Sequence, residues 1–165
     1  MKTASIRKII FVCTGNTCRS VMAEYLFKEL LRQRKQEGIS VSSAGTAASP
    51  LYRIYGALKL IMDERAFDVS GHVSTQVTRE LLEEAALVLV MEEKHRQYLE
   101  RFSPANKGKV FLLKEFAGAG GGEPDIADPI GGPEAVYRAT MKEIEGYLLK
   151  GYEKIAGLGA DNGPS

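Results

Sequence analysis

The sequence predicts an α/β protein, a doubly wound three-layer sandwich built on a parallel sheet of four strands. Three observations carry that expectation. Apolar runs rich in β-branched residues, Ile9-Ile10-Phe11-Val12 and Ala86 to Met91 above all, alternate with segments whose apolar residues recur at helical spacing. Right-handed βαβ crossovers place such helices on both faces of a sheet. A chain of 165 residues is also long enough to bury a core without metals or disulfides.

Ile9 to Val12 reads as a strand buried on both faces, with Cys13 at its carboxyl end. After a loop, Ala23, Phe27, Leu30 and Leu31 form the apolar face of a helix, and Glu24 and Lys28 make an i,i+4 pair on its outer face. Gln36-Glu37-Gly38 closes that helix, and a second, half-buried strand runs from Ile39 to about Ser43. Ile54, Ala57, Leu58, Ile61 and Met62 mark the next helix. Thr78 suits the N-cap of a short helix carrying Leu81 and Leu82. Ala86 to Met91 is the central strand, and the helix from Glu92 to Phe102 stops at Ser103-Pro104.

Val110 to Leu113 completes the sheet, followed by a long glycine-rich loop from Phe116 to Gly132. The glycines there read as a flexible connector, without the strand-to-helix setting of a dinucleotide fingerprint or the lysine of a Walker loop. Pro133 fits the first position of a final helix with Val136, Thr140, Ile144, Leu148 and Tyr152 inward. One domain is expected over 1–156, with a disordered tail over 157–165.

With 22 Lys+Arg against 21 Asp+Glu, no basic field draws the protein to nucleic acid or to an anionic membrane, so any anion site must be local. The N-terminal apolar run is too short for a signal peptide or a spanning helix, which predicts a cytoplasmic protein. Two cysteines with four residues between them make neither a disulfide framework nor a zinc pair, and no cofactor or metal is expected.

The chemistry is expected at Cys13-Thr14-Gly15-Asn16-Thr17-Cys18-Arg19-Ser20. In a parallel sheet the carboxyl ends of the strands share one edge, and ligands bind there. That edge should gather Cys13, Ser43, Met91 and the loop carrying Asp128. Gly15 permits a sharp turn, successive backbone N–H groups can cradle a phosphate, and the next helix adds its positive end. Arg19 can hold two phosphate oxygens at once, and a thiolate beside a guanidinium at a helix N-terminus is favoured over a thiol. Cys13 alone would read as a buried structural cysteine; the glycine, the arginine and the strand-to-helix setting make it a nucleophile. Cys18 reads as a packed thiol, close enough to Cys13 for a reversible disulfide under oxidation.

The motif C-x5-R-S, with Met22-Ala23-Glu24, Ser43-Ala44-Gly45, His72-Val73, Val90-Met91 and the late Asp128-Pro129, resembles the low-molecular-weight protein tyrosine phosphatase family over nearly the whole chain. The resemblance implies that family's fold and a phosphocysteine mechanism. Cys13 would attack phosphorus, Arg19 would bind the phosphoryl group with the loop from Thr14 to Cys18, and Asp128 would protonate the leaving group and then activate water. It assigns Asn16, Ser20, Ser43 and His72 to holding the loop in shape. Taken singly, Ser43 and His72 are ordinary loop or strand-end residues, and Asp-Pro is a common turn opener. Phosphorylated proteins would be the substrates, inorganic phosphate the product, and the protein a monomer.

Substrate choice falls to Thr17, Tyr52 and Ile130. The tyrosine-specific branch of the family carries a bulky aliphatic residue at Thr17 and an aromatic at Ile130, whereas the bacterial arginine-specific branch resembles this chain in Thr17, Leu113-Lys114-Glu115-Phe116 and Gly131-Gly132. The smaller, hydroxyl-bearing Thr17 suits a planar guanidinium, so phosphoarginine is the expected substrate. Tyr52, after Ser49-Pro50, can wall a phosphotyrosine ring and keeps that alternative open, and Val21 departs from the proline usual after the Arg-Ser. Thioredoxin-coupled arsenate reductases resemble the same loop but need further cysteines, and none follows Cys18. A non-catalytic phosphoprotein-binding module would need the loop but not Asp128.

Overall fold

The computed structural model describes residues 5–54 and 56–160, with the side chains of 158–160 outside that description. Four strands, β1 (Arg7–Cys13), β2 (Ile39–Gly45), β3 (Leu87–Val90) and β4 (Val110–Leu112), form one parallel sheet in the order β2-β1-β3-β4. The register sets Cys13 opposite Gly45 and Val12 opposite Val90, so the carboxyl ends of the three long-buried strands meet at one edge. The chain reverses its direction of travel across the sheet at β1, and a crevice opens at such a switch point.

Because side chains alternate along a strand, the sheet feeds two cores. Ile9, Phe11, Leu87 and Leu89 face one, closed by Phe27 of α1 (Arg19–Gln33), Met62 of α2 (Gly56–Glu64) and two C-terminal helices. Ile10, Val12, Val88 and Val90 face the other, closed by Leu82 of α3 (Arg79–Glu84) and Leu99 of α4 (Glu93–Phe102). Helices on both faces make the three layers that the alternation of patterns predicts. Thr78 caps α3, its hydroxyl accepting from the Leu81 N–H. Glu92 caps α4, and Ser103 leads into a 3-10 turn over Pro104–Lys109. Among the described residues no helix is long and apolar enough to cross a membrane.

Several boundaries differ from expectation. β2 continues two residues past Ser43 to Gly45, because Gly45 also bonds to the segment around Gln76: its N–H donates to Thr75 O and its carbonyl accepts from the Val77 N–H. β4 gives way at Leu113 to a single helical turn, α5 (Leu113–Phe116). Pro133 sits outside the next helix as its N-cap, with ψ at 167°, and α6 (Glu134–Lys150) begins one residue later. The single C-terminal helix of the sequence pattern is two, since α7 (Tyr152–Ala160) starts afresh after Gly151 and turns Tyr152 and Ile155 back onto the sheet. The expected tail boundary at Gly157 thus falls within α7, and 161–165 lie outside the described residues.

The break at Gly151 has a steric cause. A Cβ there would stand 2.8 Å from the Ala117 Cα, so only glycine lets the α6–α7 corner rest on the end of α5. With φ at −94° its backbone suits any residue, and the cost of a side chain is therefore purely one of crowding. Gly151→Ala should lower the urea midpoint, by a loss of about 1–3 kcal/mol. Gly146→Ala, on an open stretch of α6, should raise it by about 0.5–1 kcal/mol. Equal midpoints for the two variants would show that the corner tolerates the extra methyl.

Candidate active site

Residues 14–18 form a bend between the end of β1 and the start of α1, so the loop lies against the positive end of a 15-residue helix. Among the described residues, none of the backbone N–H groups from Thr14 to Cys18 has a protein acceptor. They remain as donors for an anion. Asn16 adopts the left-handed conformation, with φ at 55°, and is fully buried. Gly45 makes room for this turn: a Cβ there would lie 2.3 Å from Thr14 O.

The side chain of Asn16 is fixed by its neighbours. The Thr75 N–H donates to its Oδ1 at 2.9 Å, and its Nδ2 donates to Ser20 Oγ and to Ser43 Oγ at 2.8 Å each. Its carbonyl accepts from His72 Nε2 at 2.8 Å and from the Ser74 hydroxyl at 3.0 Å. The Ser43 hydroxyl in turn donates a hydrogen bond to Glu24 Oε1 at 2.5 Å. Ser20 Oγ lies 3.0 Å from Cys13 Sγ, and against a thiolate the hydroxyl is the donor. A chain of directed hydrogen bonds therefore runs from the Glu24 carboxylate to the Cys13 sulfur.

Arg19 opens α1 with a fully buried guanidinium. Its Nη1 donates to Ile126 O at 2.7 Å and lies 3.3 Å from Glu92 Oε1, while Nη2 lies 3.4 Å from Asp128 Oδ2. Two carboxylates and a carbonyl satisfy a cation that would otherwise be costly to bury. The Nε–H has no protein acceptor, a further donor for an anion held by the loop. The same contacts aim the glycine-rich segment, which is held rather than loose where it matters: the Ile126 N–H donates to Met91 O, and Asp125 Oδ1 accepts the Glu93 N–H at the start of α4. Asp128 is thereby carried to the cleft mouth, its Oδ1 accepting from the Ile130 N–H.

The cleft has a volume of about 580 Å³. Of the residues singled out in the sequence, Cys13, Thr14, Gly15, Thr17, Cys18 and Arg19 line its floor and wall. Tyr52, Asp128 and Ile130 line its mouth. Asn16, Ser20, Ser43 and His72 lie behind the loop, in contact with it and not with the cleft. Cys18 is buried, and burial, with the nearby Cys13 and Asp128, raises its pKa so far that it stays a thiol.

Sequence reasoning missed Gly45, Glu24, Ser74, Thr75, Glu92 and His95. Glu24 is a correction: it pairs with Lys28 at 2.5 Å as expected, but from the inner face of α1 rather than the outer. In the folded protein Glu24 shares one buried stripe of α1 with Ser20, Phe27 and Leu31. His95 is buried at the start of α4. Burial, and secondarily the Arg19 charge, pushes its pKa down to about 3, so it is neutral.

A doubly wound sheet thus sets a cysteine and a buried arginine at either end of a loop of backbone donors, at the switch point, an arrangement suited to holding a phosphoryl group beside a thiol. The chain belongs to the low molecular weight phosphotyrosine protein phosphatase family, whose model matches residues 8–157. It is 41% identical over 140 residues to a protein-arginine-phosphatase of Bacillus subtilis, covering 85% of this chain and 91% of that protein. It is 38% identical to a protein-arginine-phosphatase of Geobacillus stearothermophilus, over 90% of this chain and 95% of the other. The solved structure of the YwlE arginine phosphatase, a cysteine-to-serine mutant with a phosphorylated active-site serine, superposes with a TM-score of 0.83 at 38% identity, covering 90% of this chain and 95% of that one.

Two outcomes follow from this geometry. Asn16→Ala removes three side-chain bonds at once, so inorganic phosphate should bind at least tenfold more weakly while the far-ultraviolet circular dichroism is kept. Undiminished affinity would separate the loop's shape from Asn16. In the unfolded chain His95 takes up a proton near its ordinary 6.5, whereas the folded protein refuses it until about 3. The stability tied to its neutral form is therefore whole above about pH 6.5 and declines as pH falls through that window. Urea midpoints should decline from pH 6.5 downward in the wild type and less steeply in His95→Phe.

Proposed function

We propose that the protein is a phosphoprotein phosphatase acting through a phosphocysteine, with phosphoarginine side chains as its substrate. One observation carries the reaction type: the Cys13 sulfur lies 3.0 Å from the Ser20 hydroxyl at the floor of a loop of free backbone donors, beside a fully buried Arg19. The Cys13 thiolate attacks phosphorus and forms the S–P bond as the P–N bond breaks. Arg19 and the N–H groups of the loop take up the charge on the phosphoryl oxygens. Asp128 gives its proton to the departing guanidine nitrogen, then takes one from the water that cleaves the S–P bond. Phosphate leaves, and Cys13 is again a thiolate. Proton donation weighs heavily here because an unprotonated guanidine is a very poor leaving group, its conjugate acid titrating above about 12.

Specificity for phosphoarginine is supported by Thr17 on the cleft wall, by Ile130 at its exposed mouth, and by the arginine-phosphatase names of the relatives above. Thr17 offers a hydroxyl to a planar, polar group where a bulkier aliphatic would favour an aryl ring. Tyr52 supports a phosphotyrosine reading, since its half-exposed ring stands at the same mouth. Every group in the scheme comes from one chain, so a monomer suffices.

Kinetics on phosphoarginine and phosphotyrosine peptides tests the scheme. The wild type should favour phosphoarginine in kcat/KM, and Thr17→Ile should shift the ratio toward phosphotyrosine. Asp128→Asn should slow phosphoarginine cleavage by about 10²–10⁴-fold. Normal turnover by Cys13→Ser would eliminate the covalent route, and a wild-type preference for phosphotyrosine would overturn the specificity alone.

A further inference from the structure

His95 has no part in the scheme above, yet both of its ring nitrogens are engaged. Nδ1 lies 3.0 Å from the backbone nitrogen of Glu92, whose N–H can only donate. Nδ1 is therefore the bare nitrogen, and the ring proton sits on Nε2. Nε2 in turn lies 2.9 Å from Thr14 Oγ1, so the Thr14 hydroxyl accepts from His95. The hydroxyl proton remains to be donated. Among the described residues it meets no other hydrogen-bond partner, and Thr14 lines the cleft between Cys13 and the rest of the loop. The opposite tautomer would set two N–H groups against each other at Nδ1 and would spend the Thr14 proton on the ring. Burial keeps the imidazole neutral down to about pH 3, so this arrangement holds at every working pH.

We infer, on the phosphatase reading above, that His95 is a positioning residue which turns the Thr14 hydroxyl into a donor for phosphoryl oxygens held in the Cys13 loop. Thr14 is thus a side-chain contact to the phosphoryl group, added to the backbone donors, and His95 acts through it. The α4 capping arrangement gains a second purpose, because the Glu92 N–H that selects the tautomer belongs to the residue whose carboxylate pairs with Arg19. Guanidinium and hydroxyl are oriented from the same helix start.

The test measures binding of inorganic phosphate by calorimetry, alongside kcat/KM on a phosphoarginine peptide. The proteins compared are the wild type, Thr14→Val, Thr14→Ser, His95→Phe, His95→Gln and the Thr14→Val/His95→Phe pair. Thr14→Val and His95→Phe should each weaken phosphate binding about tenfold, the scale of one hydrogen bond to a charged group. The double variant should be no weaker than the weaker single, since both remove the same donor. Thr14→Ser should recover most of what Thr14→Val loses, and His95→Gln, whose amide N–H reaches the Nε2 position, part of what His95→Phe loses. Losses that multiply to about a hundredfold in the double variant would sink the proposal, as would phosphate affinity in Thr14→Val equal to the wild type. If His95→Phe does not fold, Thr14→Val against Thr14→Ser decides the matter. Phosphate binding needs no turnover, so failure of the phosphatase reading would appear separately, as intact phosphate binding without cleavage of any phosphorylated peptide.

Discussion

A single residue in left-handed conformation bears most of the organisation of this protein. Asn16 turns the chain at φ 55°, inside the protein, where neither the strained backbone nor an amide side chain is stable unaided. Five hydrogen bonds satisfy it, from or to Ser20, Ser43, His72, Ser74 and Thr75. These partners come from α1, β2 and the segment before α3, so the loop's shape is the joint product of three separate parts of the chain. Gly45 adds the steric half of the same constraint by leaving space beside Thr14 O.

With the turn set, the electrostatics of the site follow from burial. The Arg19 guanidinium is removed from water, and Glu92, Asp128 and the Ile126 carbonyl surround it. In such surroundings charges act at closer to full strength than at a surface, and a partner removed leaves its counterpart exposed to the whole desolvation penalty. Glu24 plays the corresponding part behind the loop, as a buried carboxylate that accepts from Ser43 and is neutralised by Lys28 reaching in from the surface. One acid orders the protons that point toward Cys13, another orients the cation, and a third stands at the mouth of the cleft.

Much of this was legible in the residues themselves. The strand-loop-helix reading of Ile9 to Leu31 stood because its two periodicities are unmixed, and the loop between them matched a phosphate cradle in residue type as well as length. Boundaries read less well where a tertiary contact overrides a local pattern. The helical repeat from Val136 to Tyr152 is continuous, but packing of Gly151 on Ala117 divides it. Glu24 and Lys28 show the same limit in side chains: spacing predicts that they pair, while the face on which they do so depends on what lies beneath α1.

By itself the sequence determined the parallel α/β class, the edge at which the site lies, and the Cys13-to-Arg19 loop, because these rest on periodicity and on contiguous residues whose chemistry is local. Only the tertiary structure decided that Glu24 faces inward, that Glu92 and Asp128 share one buried arginine, and that His95 reaches Thr14 across 81 positions of chain. A hydrogen bond depends on distance and direction between two atoms, and for residues on different strands and helices neither is set until the sheet has brought their ends together.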